Sequence, residues 1–409
     1  MVGREPLPDA ETAPDALRIL QVVASYYPAV RYGGTIVSVH GLAAALAARG
    51  HDVHVYTTSV DGDRDSDVPH DQPVMLDGVH VWYFRSPNLR HLYRSPDLRA
   101  QLARTVAEFD VVHTHAVFLW PLWVAARAAT RAGVPYVVSP RGMLERDLIR
   151  RKSPWLKALW IALIERRNLE RAAAIHVTSA REAEELANFH FQLPPVVTIP
   201  NGVDLDVPAA SDGAMVDRLS VDVSGSPYVL FLGRVSWKKG LDRLVRAMPY
   251  ISNGLRVLVA GGDDEGLRGS LEAEAGRLGV ADRLVFTGPV AGAGKHALLA
   301  GAHLLVLPSH SENFGNVVLE AMAAGCPVVV TPEVGAAPIV EASGAGWVVS
   351  GEPATLGARI SALAADAELR AVMSARGRAA AAARFSWSAV ARDMEALYTS
   401  VSARPGGPS

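Results

Sequence analysis

Cysteine is almost absent from the chain: Cys326 stands alone. A single thiol excludes an intrachain disulfide and a thiolate zinc site, and it fits a reducing compartment. Long apolar runs are missing too. The longest candidate, Trp155 to Ile164, falls short of the roughly 18 residues a membrane span needs. Met1 to Asp15 is rich in Pro, Asp and Glu and lacks the apolar core of a signal peptide. The expectation is a soluble, cytoplasmic chain with a solvated tail at each end. Neither sign of charge is in excess: 40 Lys and Arg against 42 Asp and Glu leave a formal net charge of −2. No basic field invites nucleic acid, and no acidic excess predicts disorder. There is no repeat of solenoid period. His113 and His115 have no acidic ligands at metal spacing, so no catalytic metal and no cofactor are expected.

What is present is alternation. Arg18 to Ala24 is a short apolar run that predicts a buried strand, and Gly33-Gly34 makes a turn after it. Ile36, Val37, Val39, Leu42, Leu46 and Ala47 then recur at helical spacing until Gly50, and His51 to Thr57 alternates as a second strand. Strand, glycine turn, helix, strand is one βαβ unit. Further strands are predicted at Val79 to Phe84, Val111 to His115, Pro135 to Ser139, Ala174 to Thr178 and Val196 to Ile199. Helices separate them, including one from Leu156 to Ala172. Pro200-Asn201-Gly202 is a turn, and Asp204 to Ser226 loses strand periodicity, which marks a domain junction. A second series follows, with strands at Tyr228 to Gly233, Arg256 to Ala260, Leu284 to Thr287, Leu304 to Leu307, Pro327 to Thr331 and Gly346 to Val349. Two α/β domains with largely parallel sheets are expected. Their ligands would sit at the C-terminal strand ends, in a cleft between the domains.

The most informative stretch runs from Pro308 through Glu312, Phe314, Gly315 and Asn316 to Glu320 and Gly325-Cys326-Pro327. A strand ends at Leu307 and a helix starts near Asn316, so Glu312 occupies a strand-end loop. Gly315 permits close backbone approach, and free N–H groups at the helix start can grip a hydroxyl or a phosphate. A helix cap accounts for the same residues without any ligand. A second stretch, Gly233-Arg234 with Lys238-Lys239-Gly240, places cations where a helix begins. The macrodipole disfavours positive charge there by about 0.3–1 kcal/mol per charge, and a bound diphosphate would remove the conflict. Solvated surface lysines are the plain alternative.

The first of these stretches resembles the Glu-x7-Glu signature of retaining GT-B glycosyltransferases of family 4. Glu312 and Glu320 are its two acids, Phe314-Gly315 its Phe-Gly pair, and Glu320 to Val329 its Glu-Ala-Met-Ala-x-Gly-x-Pro-Val-Val run. The second matches the family's Gly-Arg-x4-Lys-Gly pattern at Gly233, Arg234, Lys239 and Gly240. The resemblance spans about Leu20 to Leu397. It implies a GT-B fold: two Rossmann-like domains with parallel sheets facing each other across a cleft. An acceptor-binding domain would occupy 16–205, a nucleotide-sugar domain 206–385, and a helix crossing back to the first domain 386–401.

The resemblance also implies roles. Glu312 faces the donor sugar and Glu320 the nucleotide ribose, while Arg234 and Lys239 hold the diphosphate in place of a metal. Phe314, Gly315 and Asn316 line the donor site. Gly34 approaches the donor phosphate, and His115 lies near the reacting sugar. Arg141, in Ser139 to Leu144, resembles a position of polysaccharide-building members and is a weaker candidate for touching the acceptor, with pairing to Glu145 or another acid as the alternative. His113 reads as a satisfied structural histidine.

The implied activity is transfer of a sugar from a UDP- or GDP-sugar to a hydroxyl of a carbohydrate, lipid-linked or small-molecule acceptor, with retention of configuration, in glycan or exopolysaccharide assembly. A natural-product glycosyltransferase, another enzyme on the same scaffold such as an epimerase, and a non-catalytic sugar-nucleotide sensor are the alternatives.

One segment stays apart. Arg146, Arg150, Arg151, Lys152, Lys157, Arg166, Arg167 and Arg171 flank Trp155, Leu156, Leu159, Trp160, Leu163 and Ile164. The preferred reading is a core helix of the first domain with a solvated cationic face; the other is peripheral contact with the inner face of a membrane.

Overall fold

The computed structural model describes residues 16–29, 33–145, 149, 154–205 and 227–402. The tail Met1 to Asp15, Tyr32, the cations Arg146, Arg150, Arg151 and Lys152, and the centre of the proposed junction, 206–226, lie outside them.

Among the described residues, sixteen strands fall into two main sheets and a small hairpin. The first sheet contains β1 (Arg18–Ser25), β2 (Asp52–Thr58), β5 (Val74–Leu76), β6 (Val79–Phe84), β7 (Val111–His115), β8 (Tyr136–Ser139), β9 (Ala174–Val177) and β10 (Val196–Thr198). Between β2 and β5, β3 (Val60–Asp61) and β4 (Arg64–Asp65) form the hairpin. The order is β10-β9-β8-β7-β1-β2-β6-β5. The second sheet contains β11 (Tyr228–Leu232), β12 (Arg256–Ala260), β13 (Leu284–Gly288), β14 (Leu304–Leu307), β15 (Val328–Val330) and β16 (Gly346–Val348), in the order β13-β12-β11-β14-β15-β16. Every pairing in the second sheet is parallel, as is every pairing in the first except β5 with β6.

Burial explains why the strands read as apolar runs: helices cover both faces of a parallel sheet. Val229, Leu230 and Phe231 of β11 are fully buried. Each such side chain contributes about 1.5–3 kcal/mol over its exposed state. The helix Gly34–Ala48 buries Ile36, Val39, Leu42 and Leu46 of the predicted stripe, together with Ala43, while Val37 of that stripe faces solvent. Gly50, at φ 95°, follows its end and donates its N–H to Ala47 O at 2.9 Å.

Three features depart from the sequence reading. The edge strand β5 was not anticipated, although Asp77-Gly78 signals it. Both residues have positive φ, 47° and 80°, as a tight two-residue hairpin turn demands. The helices Ala337–Ser343, Pro353–Ala365 and Ala367–Arg384 were not assigned either. Finally, the helix expected at Leu156 to Ala172 is broken. It runs Pro154–Trp160, widens into a π-turn over Ile161–Glu165 and resumes at Arg166–Glu170. Its apolar residues are not all core: Trp155, Leu156, Leu159 and Leu163 are exposed, which overturns the preferred reading of that segment.

The last helix, Trp387–Ser402, packs on the first half of the chain. Val390, Ala391, Met394, Leu397 and Tyr398 join a core with Ile36, Val39 and Leu42. Arg49 pairs with the buried Glu395, and Val203 N–H donates to Phe385 O at 2.8 Å.

Candidate active site

The predicted residues come from separate C-terminal strand ends, as the α/β rule requires. Gly34 opens the helix after β1, His115 ends β7, and Arg141 follows β8. Arg234 follows β11, and Glu312 lies in the loop after β14. The Glu312 loop is held from below. Glu312 N–H donates to Glu333 O at 3.1 Å, and its own carbonyl accepts from Gly335 N–H at 2.9 Å. His310 N–H and Ser311 N–H donate to Lys238 O at 2.7 and 3.2 Å. This close fit needs glycine at 240: its φ is 67°, and a Cβ there would sit 2.0 Å from Pro308 O.

Two ion pairs occupy the second half of the site. Lys239 Nζ donates to Glu312 Oε2, both side chains being largely buried. Lys295 Nζ meets Glu320 Oε1 at 3.0 Å. Arg234 is exposed and touches Asp264 at only 3.5 Å. Burial pulls the Lys238 ammonium below its usual range, against the attraction of Glu145 and Glu312. Phe314 is a correction: its side chain is 3% exposed and belongs to the core of the second half, so it anchors the loop and leaves only its backbone for a ligand. Gly315, at φ 91°, caps the helix Asn316–Ala324.

Asn316 reaches the other half of the chain. Its Nδ2 donates to Gly34 O at 3.3 Å, and its Oδ1 accepts from Asn201 Nδ2 at 2.8 Å. A Cβ on Gly34 would lie 3.1 Å from that Nδ2, so the two halves nearly touch there. Asn201 Oδ1 in turn accepts from Arg141 Nη1 at 2.8 Å, and Arg141 Nη2 donates to His115 Nδ1 at 3.1 Å. One hydrogen-bonded chain therefore joins Gly34, Asn316, Asn201, Arg141 and His115 across the cleft. Arg141 does not pair with Glu145, which accepts instead from Ser311 Oγ at 2.7 Å and meets Arg181 at 3.5 Å.

That chain settles the state of His115. A guanidinium only donates, so Nδ1 accepts and the proton sits on Nε2. Among the described residues that Nε2 is buried with no partner. Burial first, then the charge of Arg141, holds the imidazole well below its usual pKa, so it is a neutral donor at pH 7. Arg141 itself is pulled down to about 10 by burial and stays charged. His113 is fully satisfied, as expected: Nδ1 bonds Tyr398 Oη and Nε2 bonds Ser139 Oγ, each at 2.7 Å.

Sequence reasoning missed the residues that join the halves. Asn201 looked like a turn residue. Asn313 Nδ2 donates to Thr178 Oγ1 at 3.0 Å and to Glu182 Oε2 at 3.3 Å, and Ser179 Oγ donates to Asn313 O at 2.9 Å. Glu182 is buried and also accepts from Gly142 N–H at 2.6 Å and Thr178 N–H at 2.8 Å. The available signal was Ser179-x-x-Glu182, a helix-capping pattern at Ala180–Ala187. A trio of metal-type ligands, Asp52, His54 and His80, lies at the opposite, N-terminal strand ends, with Arg18 on Asp52 at 2.9 Å.

Residues 33–202 match the model of the glycosyl transferase 4-like domain, and residues 220–380 that of the glycosyl transferases group 1. The chain is a group 1, family 4 glycosyltransferase. It is 30% identical to a D-inositol 3-phosphate glycosyltransferase of Xylanimonas cellulosilytica, over 91% of this chain and 93% of that one. HepE of Anabaena, solved with UDP and glucose, superposes with a TM-score of 0.73 at 21% identity over 94% of this chain and all of that one. Sucrose-phosphate synthase of Thermosynechococcus elongatus gives 0.69 at 23% identity, over 94% and 99%. These structures give the transferase its GT-B fold.

Proposed function

We propose that this transferase moves a sugar, with retention of configuration and without a metal, from a UDP- or GDP-sugar to a hydroxyl acceptor in glycan or exopolysaccharide assembly. The observation that carries the reading is the contact of Glu312 with Lys239 at adjacent strand ends, with neutral His115 on the other side of the cleft. The solved relative HepE holds UDP and glucose on the same fold, which favours UDP. In this reading Arg234 and Lys239 bind the diphosphate, Glu320 the ribose, and Gly315 and Asn316 the donor through backbone N–H groups. Gly34 closes over the phosphate. Donor entry exchanges the Lys239–Glu312 ion pair for contact with phosphate, and that frees the Glu312 carboxylate to face the sugar. His115 Nε2–H then finds its missing acceptor on a sugar hydroxyl. No side chain in the set is an evident nucleophile, which favours same-face attack through an oxocarbenium-like state over a covalent intermediate. The first half, 16–205, takes the acceptor and 206–385 the donor, in the cytoplasm.

The name of the relative favours a second reading of the acceptor, a small phosphorylated polyol. The test is thermal shift against UDP, GDP, ADP and TDP with EDTA present, followed by turnover with and without acceptor. One nucleotide should raise the melting temperature by mass action. No shift with any of them would sink the donor assignment, and donor turnover independent of acceptor would favour an epimerase. Failure to turn over with intact binding would favour a sensor. NMR of the product anomer decides retention.

A further inference from the structure

Among the described residues, the helical segment Pro154–Glu170 is fastened to the first half on one side. Glu165, 3% exposed, accepts from Phe118 N–H at 2.8 Å and from Trp160 Nε1 at 2.8 Å, and Leu169 is fully buried. The opposite side carries four of the twelve exposed large apolar side chains among the described residues: Trp155 at 69%, Leu156 at 49%, Leu159 at 52% and Leu163 at 62%. Leaving them in water is unfavourable, and their spacing puts them on one face. Within the π-turn over Ile161–Glu165, Glu165 is buried while Leu163 is exposed.

The rim of this face is cationic. Arg166 and Arg167 are exposed beside Leu163, Arg171 follows, and Lys157 Nζ lies 5.7 Å from the Phe118 ring centroid. Of the two acids of the segment, Glu165 is buried and Glu170 neutralises Arg166 at 2.8 Å, so the positive border rests on the exposed Arg167 and Arg171. Just upstream the sequence adds Arg150, Arg151 and Lys152. An apolar stripe with a positive border matches an anionic bilayer surface, where alkyl and indole groups enter the headgroup region and cations meet phosphate. The stripe also adjoins the cleft: Phe118 lies three residues beyond His115, and Lys157 acts electrostatically on Lys238 of the donor half.

We propose that Trp155, Leu156, Leu159 and Leu163 form a docking face for anionic phospholipid, which sets the acceptor side of the cleft against the bilayer. That the acceptor is lipid-linked rests on the transferase reading; the docking does not. The test is co-sedimentation with phosphatidylcholine vesicles with and without phosphatidylglycerol, read beside the UDP-induced thermal shift. Wild-type protein should pellet with the anionic vesicles and be released by salt. In Leu159→Ser/Leu163→Ser the bound fraction should fall at least about tenfold with melting temperature and UDP shift unchanged. Arg167→Glu/Arg171→Glu should lose the preference for anionic lipid. Absence of pelleting, undiminished pelleting of the leucine variant, or a wild-type dimer that this variant makes monomeric would each overturn the proposal. A missing UDP shift with intact pelleting would overturn the donor site and leave the docking face standing.

Discussion

The proton on His115 Nε2 depends on one neighbour. Arg141 reaches Nδ1 at 3.1 Å with a group that only donates. In Arg141→Met the imidazole is free to carry its proton on Nδ1. Turnover should fall by roughly a hundredfold, in the range of a lost positioned donor, while the UDP-induced thermal shift is kept. Loss of both would make Arg141 a donor-binding group instead. At the other wall, Arg234→Ala and Lys239→Ala each remove a charge-assisted contact of about 1.5–3 kcal/mol, so UDP affinity should drop roughly tenfold or more by calorimetry. Glu312→Ala should lower kcat far more than it weakens UDP binding, and the opposite split would reassign its role. The acids and cations were readable in the sequence because they sit in short, contiguous motifs. Phe314 was readable as part of a motif but not as a core residue, because burial is a property of what surrounds it.

At the scale of elements, the last helix shows how two distant segments depend on each other. Trp387 fits against Gly41 and Gly202: a Cβ on Gly41 would lie 2.2 Å from its ring, and one on Gly202 2.3 Å. Gly41→Ala should therefore cost about 1–3 kcal/mol in urea unfolding, the usual price of overpacking. An unchanged midpoint would show that the indole has room to move. Within each half, alternation of buried strands and amphipathic helices was legible, since both periods are local. The exposed stripe on Pro154–Glu170 was not. Its periodicity predicts an amphipathic helix equally well whether protein or solvent faces the apolar side, and only the packing of Glu165 and Leu169 shows which side is inward.

For the whole molecule, the buried histidines predict a pH response. His113 and His115 are held well below the usual pKa and His176 down to about 3, all mainly by burial. Their unfolded values lie near ~6.5. Above that pH both states are neutral and the contribution is fully present. As pH falls below it, the unfolded chain takes up protons that the folded chain refuses, and stability declines by up to about 1.4 kcal/mol per pH unit per histidine. Urea midpoints should fall between pH 7 and pH 5, with a shallower slope in His176→Asn. A slope unchanged by that variant would place the acid sensitivity elsewhere.

The sequence alone determined the two α/β halves, their parallel sheets and the motif residues Glu312, Glu320, Arg234 and Lys239, because periodicity and strand-end position are written along a few neighbouring residues. Tertiary structure decided what joins the halves. Asn201 meets Asn316, Ser311 meets Glu145, and Tyr398 meets His113 across as many as 285 positions. It also decided which face of the basic helix is bare. Such pairings depend on how two separately folded layers come together in space, and no local pattern in the chain records that.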